Sequence, residues 1–216
     1  MAPTFPRPFP LGGVFTGDCA FDLVRVQTRN LPGNSTPDVA DVADPYWRGE
    51  WRTSVTSRQA YAEWAAWLDS LRGGLRLFKG RPNRHCWPLT YPRGFAGLTV
   101  EGDPFDGLGN LASIGASRDS VTIEGLPDGF TLLVGDLFSI PVGARQHIHR
   151  ITEGGVAVDG DVTVYCEPII NPSVVAGAVP VRLDTPYCDM ILTEAQMPRN
   201  PIKGGTISFV GQQALI

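Results

Sequence analysis

The sequence predicts a mainly β protein with many turns and one principal α-helix packed on the sheet. Three observations lead there. Glycine and proline number 25 and 19 of 216 residues, a level that suits frequent turns without reaching low complexity. Short runs of Val, Ile, Thr and Phe recur between those turns, bounded as strands are. A single stretch, residues 57–72, carries sustained helical periodicity. A chain of this length buries a core without covalent staples, and it reads as one β domain, residues 14–216, behind a Pro- and Phe-rich arm, residues 1–13.

The arm holds Pro3, Phe5, Pro6, Pro8, Phe9 and Pro10. Prolines at this density fit neither a helix nor a central strand. Two outcomes are open: a frayed terminus, or an arm whose aromatics dock on a neighbouring subunit. A first strand is expected from Phe15 to Thr28, and a loop at Pro32-Gly33-Asn34 and Pro37. A second strand is expected from Tyr46 to Val55. There Trp47, Gly49 and Trp51 share one parity, and Arg48, Glu50 and Arg52 the other, which gives one buried and one wet face.

The helix follows. Thr56 and Gln59 have the form of a capping box, and Gly73-Gly74 supply a left-handed stop. Tyr61, Trp64, Leu68 and Leu71 share a face with Ala65 and Trp67 at its margins, an apolar arc of about 160° suited to lying on a curved sheet. Trp64, Leu68, Leu71 and, on the preceding strand, Trp51 are the expected core.

After a short strand at Leu75–Phe78, residues 80–94 read as an extended crossing punctuated by turns. Residues 97–117 contain glycines and little periodicity, and are expected to form a Gly-rich excursion or loop. Strands are then expected at Ser120–Glu124, on both sides of Gly135-Asp136, at Gln146–Thr152, and on both sides of Asp159-Gly160. A linker at 168–180 precedes strands at Val181–Leu183, Cys188–Leu192 and Thr206–Val210. No internal repeat is read. At Asp159-Gly160 two registers compete. A two-residue loop sets Val158 opposite Asp161. A three-residue loop sets Val158 opposite Val162 and Val156 opposite Val164, which lines four valines on one face. The longer loop is expected, because a one-residue slip flips every side chain.

Composition narrows the chemistry. The net charge is −4 without a basic cluster, which disfavours a nucleic-acid surface. No secretory signal and no apolar run of about 20 residues is read, so no membrane span is expected. Cys19, Cys86, Cys166 and Cys188 form no C-x-x-C and are expected to be free thiols of a protein folded in cytoplasm. His147 and His149 share a strand face, as metal ligands do, and His85 would make a third. No Asp or Glu accompanies them, however, and Ile151 shares their parity. The pair is therefore read as a partly exposed strand or a subunit contact. His85 and Cys86, adjacent on an extended chain, point apart, against a nucleophile–base pair. No G-x-S-x-G, H-E-x-x-H or P-loop spacing occurs, and residues 107–112 end in Ala where G-x-G-x-x-G needs glycine. No catalytic, cofactor or metal residue is assigned.

Three pieces, in order, carry a resemblance. They are Pro45-Tyr-Trp-Arg-Gly-Glu-Trp-Arg52; the Trp-rich helix Tyr61–Leu71 running into Gly73-Gly-Leu-Arg-Leu-Phe78; and a later block. That block comprises Val121-Thr-Ile-Glu-Gly-Leu-Pro127, Leu133-Val-Gly-Asp-Leu-Phe-Ser-Ile140, His149-Arg-Ile151, Val162-Thr-Val-Tyr-Cys-Glu-Pro168 and Pro180-Val-Arg-Leu-Asp-Thr-Pro186. The succession, over residues 45–193, resembles the distal tail or baseplate-hub proteins of long-tailed, siphovirus-type bacteriophages. The resemblance implies a split-barrel or β-sandwich fold with one α-helix (about 57–72) packed on the sheet, in a structural virion protein without catalytic residues or cofactor. It implies a homo-oligomeric ring, commonly hexameric, at the end of the tail tube, with tube and tail-tip or baseplate proteins as neighbours. It also implies folding and assembly in the host cytoplasm. On that reading Phe5, Phe9, Trp87, Tyr91, His147 and His149 are the expected subunit-interface residues. The alternative is a carbohydrate- or receptor-binding β-sandwich using Trp87 and Tyr91 on a loop, and a third reading is an enzyme with an unfamiliar site.

Overall fold

Strands dominate the fold, and one helix accompanies them. The computed structural model describes residues 3–10, 14–15, 19–30, 36–84, 86–177, 179–198 and 205–215. The first part of the chain forms β1 (Val14–Phe15), β2 (Ala20–Asn30), β3 (Asp38–Val55), the helix α1 (Arg58–Ser70) and β4 (Phe78–Gly80). Then come β5 (Thr99–Val100), β6 (Asp103–Pro104), β7 (Leu108–Ile114), β8 (Ser120–Glu124), β9 (Thr131–Leu132) and β10 (Leu137–Val142). The chain ends with β11 (Arg145–Glu153), β12 (Gly155–Val156), β13 (Val162–Glu167), β14 (Pro180–Arg182), β15 (Cys188–Gln196) and β16 (Gly205–Gln213). These strands build two units, an open sheet under the helix and a closed barrel.

The open sheet runs β1-β3-β16-β15-β4, with β2 also on β3. The expected parity on β3 holds: Trp47, Gly49 and Trp51 are buried, while Arg48 and Arg52 are exposed. The helix starts one residue later than a Thr56 cap requires. Ser57 is extended, and its hydroxyl accepts the Ala60 N–H at 3.1 Å. Gln59 reaches Glu63 (3.0 Å) rather than the helix start. Gly73 and Gly74, with φ of 62° and 104°, supply the left-handed stop. Trp64, Leu68, Leu71 and Trp51 are buried as expected. Trp67, expected at the margin, is fully buried as well, because its indole N–H donates to Pro8 O at 2.8 Å and turns that edge of the helix toward the arm.

The arm packs on its own chain. Arg7 pairs in parallel with Phe78, through Arg7 N–H to Leu77 O (3.1 Å) and Lys79 N–H to Arg7 O (2.8 Å), and so caps the β4 edge of the sheet. The Phe9 ring lies 5.4 Å from Trp51 and 5.9 Å from both Trp67 and Phe78. Phe9, half-buried, therefore packs on the aromatic core of its own chain.

The barrel closes in the order β10-β11-β13-β8-β7-β14, all pairs antiparallel. Its interior is mainly aliphatic, with Leu111, Val121, Ile123, Ile140, Val164 and Val181 buried. The region 97–117 is no loose excursion. It forms the β5–β6 hairpin and then β7, a full barrel strand with Gly109 and Leu111 facing inward. A Cβ at Gly109 would stand 2.8 Å from the Ile123 side chain and 2.9 Å from Glu124 O, so this glycine marks close strand approach. The expected linker also takes part. Ile170 and Val174 are buried, and the Arg118 guanidinium donates to the carbonyls of Ile170 (2.8 Å), Asn171 (2.6 Å) and Val174 (2.8 Å).

The Asp159-Gly160 loop has two residues, not three. Val158 and Asp161 exchange both backbone hydrogen bonds, at 2.9 and 3.1 Å, with φ of 53° at Asp159 and 87° at Gly160. Val156 and Val158 are exposed, while Val162 and Val164 are buried. The valines part because β12 pairs with β9 rather than with β13, and Ala157 fills the inner position, its N–H donating to Phe130 O at 2.8 Å.

A candidate interaction surface

The long strand β3 outruns its sheet. β16 covers it only from Arg48 to Val55. Earlier along β3, β2 is the partner, from Ala20 opposite Glu50 to Asn30 opposite Asp38. The strand expected from Tyr46 thus begins earlier, at Asp38. The result is a two-stranded ribbon in which residues 25–30 and 38–44 are all exposed, Val42 at 64%. Among the described residues, no strand pairs the outer edge of β2 or that of β3 before Arg48.

The sequence explains the exposure. Asp38-Val-Ala-Asp-Val-Ala-Asp44 repeats every three residues, whereas a strand alternates every two. Each residue type therefore falls on both faces, and neither face is apolar enough to be buried. Bulges shift the pairing on both sides of Val26. The root of the ribbon is tied to the barrel by Arg25, which meets Glu167 at 2.7 Å and Asp41 at 3.6 Å. A groove of about 470 Å³ runs between ribbon and barrel, with Val42, Pro45 and Ile169 in its walls. This triplet was the available sequence signal.

The residues expected at a subunit interface do not gather in one place. His147 and His149 are buried in the barrel wall, not partly exposed. They share the face of Ile151 and lie opposite Ile140 and Phe138, with the Phe138 and His149 rings stacked at 5.2 Å. β11 is covered on both sides. The Trp47 indole donates to Ile148 O (2.8 Å), and the Arg150 guanidinium lies 4.7 Å over the Trp47 ring. Two-sided burial hides the histidines. His149 Nδ1 lies 2.7 Å from Pro168 O, while Nε2 of both rings is buried without a hydrogen-bond partner. Burial pushes the His149 pKa down to about 4, with the Pro168 bond opposing and His147 adding; burial lowers that of His147 too. His85 lies outside the described residues.

Trp87 and Tyr91 are half-buried on the barrel core. The Tyr91 ring stacks on Phe130 at 4.5 Å and its hydroxyl accepts the Thr131 N–H, while Trp87 packs edge-on against Phe95. Phe5 lies under the Arg76 guanidinium at 4.7 Å. It borders an open cleft of about 710 Å³ between the sheet and the β10–β11 turn.

Leu75, Leu77, Ile191 and Leu215 give that cleft apolar walls, and Arg76 and Arg145 border it. Asp189, 2% exposed, stands in the wall. One carboxylate oxygen accepts the Gln146 N–H at 3.2 Å, and the other is buried without a hydrogen-bond partner. Burial raises its pKa against the pull of that bond and of Arg145 and Lys79.

Cys86, Cys166 and Cys188 are free thiols. Burial pushes the Cys166 thiol up to about 12, and Cys188 well up. Among the described residues no three His, Cys, Asp or Glu side chains gather into a metal-holding group, and no helix is long and apolar enough to cross a membrane. No protein-family model matches the chain, and no curated protein matches it.

Proposed function

We propose that this chain is a structural component of a long-tailed bacteriophage virion, a distal tail or hub ring at the end of the tail tube. Six copies surround the tube axis, with tube protein on one side and tail-tip or baseplate proteins on the other. Folding and assembly take place in the host cytoplasm, and the chain's work is contact rather than catalysis. The observation that carries this reading is the β2–β3 ribbon. A ribbon exposed on both faces gains little by itself in water, and its free edges are templates for another chain. Such an element is explained by a neighbour. The resemblance of residues 45–193 to tail proteins supplies the kind of neighbour.

Complementation tests the proposal. Phage particles lacking the chain should have incomplete, non-infectious tails, and the intact chain should restore them. A variant with residues 25–44 replaced by a short turn should fold and yet fail to restore them. Negative-stain images of the purified protein and of whole particles should show a ring at the tail end. Infectious particles that lack the chain would remove the proposal.

A further inference from the structure

The barrel carries an apolar knob that none of its own surfaces uses. Leu89, Leu133 and Val134 are exposed together, Val134 at 64%. Buried Asp136 ties together the two segments of the tip. One carboxylate oxygen accepts the Leu89 N–H and the other the Leu133 N–H, each at 2.7 Å. The backbone is fixed as well, with Ile151 N–H donating to Asp136 O (2.8 Å) and Gly135 N–H to Ile151 O (2.9 Å). Holding an exposed aliphatic tip in one conformation pre-organises a contact.

The matching hollow lies at the other end of the same strand. β10 starts at Leu137, beside the knob, and ends at Val142, beside Ala144 and Arg145 of the cleft, about 20 Å away. The charges match too. The knob end of the barrel carries Glu153 at the close of β11, Glu124 at the close of β8, and Asp128, Asp159 and Asp161 around the hairpin. The cleft is bordered by Arg76 and Arg145, and Asp189, its one carboxylate among the described residues, is sunk in the wall.

We infer that the knob of one copy inserts into the cleft of a second copy of this chain. Leu133 and Val134 meet Leu75 and Ile191, and Glu153 faces Arg145. Knob and cleft differ and sit at opposite ends, so the contact is head-to-tail and repeats until a ring closes. This inference rests on the ring reading above and names the surfaces that would make it.

Two exposed positions test it. Val134→Asp blocks the knob, and Leu75→Asp blocks the cleft, where Leu75 is 84% exposed. In analytical ultracentrifugation the parent should assemble and each variant alone should be monomeric. An equimolar mixture of the two should give a dimer and nothing larger, because only one intact knob meets one intact cleft. A knob-to-knob contact cannot produce that result, and a two-fold pair of knob–cleft contacts would stop the parent itself at a dimer. As a check independent of these variants, Glu153→Arg and Arg145→Glu should each weaken assembly at least tenfold, and the double exchange should restore it.

Variants that assemble like the parent, or a mixture that stays monomeric, overturn the inference. In either case, a parent that forms rings leaves the ring reading standing and moves the contact elsewhere. A parent that never assembles removes both.

Discussion

The two β units solve the same problem in opposite ways. The barrel closes on itself, so its interior is sealed by mainly aliphatic side chains and it has no edge to protect. The sheet stays open and must be covered, which it achieves with aromatic mass. Trp47, Trp51, Trp64, Trp67, Phe78 and Phe209 are all fully buried there, beneath a helix and a proline-rich arm. Closure leaves the barrel's outer features, such as its knob, as additions to a complete fold. An open sheet can instead let one strand run on past its neighbours, and β3 does so. The free ribbon belongs to the unit that could not close.

The largest test of this contrast falls on the aromatic unit. Trp64→Ala should cost roughly 3–5 kcal/mol, read by denaturant unfolding. Its ring touches Phe15, Trp67 and Phe209. A variant that melts with the parent would mean the helix is not what covers the sheet.

The barrel should be the acid-sensitive unit. Unfolded histidine takes up its proton near pH 6.5, whereas His149 in the fold does so only near 4. Unfolding therefore binds protons in that interval. Stability should fall as pH drops from about 6.5 to 4 and level off below, a loss of about 3 kcal/mol at His149, with His147 acting in the same direction. Comparing unfolding midpoints at neutral pH and near pH 4.5 checks this, and His149→Gln should flatten the slope. A parent with no such slope would mean that the histidines are not sealed in the wall.

A smaller effect is expected at the hairpin. Gly160→Ala puts a side chain at φ 87°, with its Cβ 3.2 Å from Leu126 O, and should cost about 1–2 kcal/mol. A neutral result would reopen the turn assignment. The smallest effect belongs to the ribbon. Val42→Ser should leave thermal unfolding within about 0.5 kcal/mol of the parent while weakening assembly, since Val42 is mostly exposed on its own chain.

The sequence revealed most where a single rule governed the residues. Alternation placed Trp47 and Trp51 inward, helical spacing placed Trp64 and Leu68, and the glycine pair ended the helix. It misled where two constraints overlapped. Glycines 107 and 109 suggested a loop, yet Gly109 is a packing requirement between β7 and β8. The four valines near Asp159 suggested one apolar face, yet the outer pair sits on a segment that leaves for another strand. His147 and His149 looked exposed because a polar strand is usually half-wet, and only tertiary contact could show β11 enclosed from both sides. The ribbon was missed, because the three-residue period of Asp38–Asp44 lacks the two-residue alternation that marks a strand.

The sheet is assembled from both ends of the chain, and the barrel strands lie between β4 and β15 in sequence. Its central strand, β16, follows every barrel strand in sequence. During synthesis, at roughly 5–20 residues per second, the barrel strands emerge and can pair while Trp47, Trp51 and Phe78 still lack β16 to bridge them. The nascent chain thus carries an unfinished aromatic surface until β16 leaves the ribosome. A released chain truncated before residue 205 should hold a protease-resistant barrel joined to a protease-sensitive N-terminal segment. Once β16 emerges, sheet and barrel join in one cooperative body, so the ribbon root is finished only on chains that carry residues 205–213.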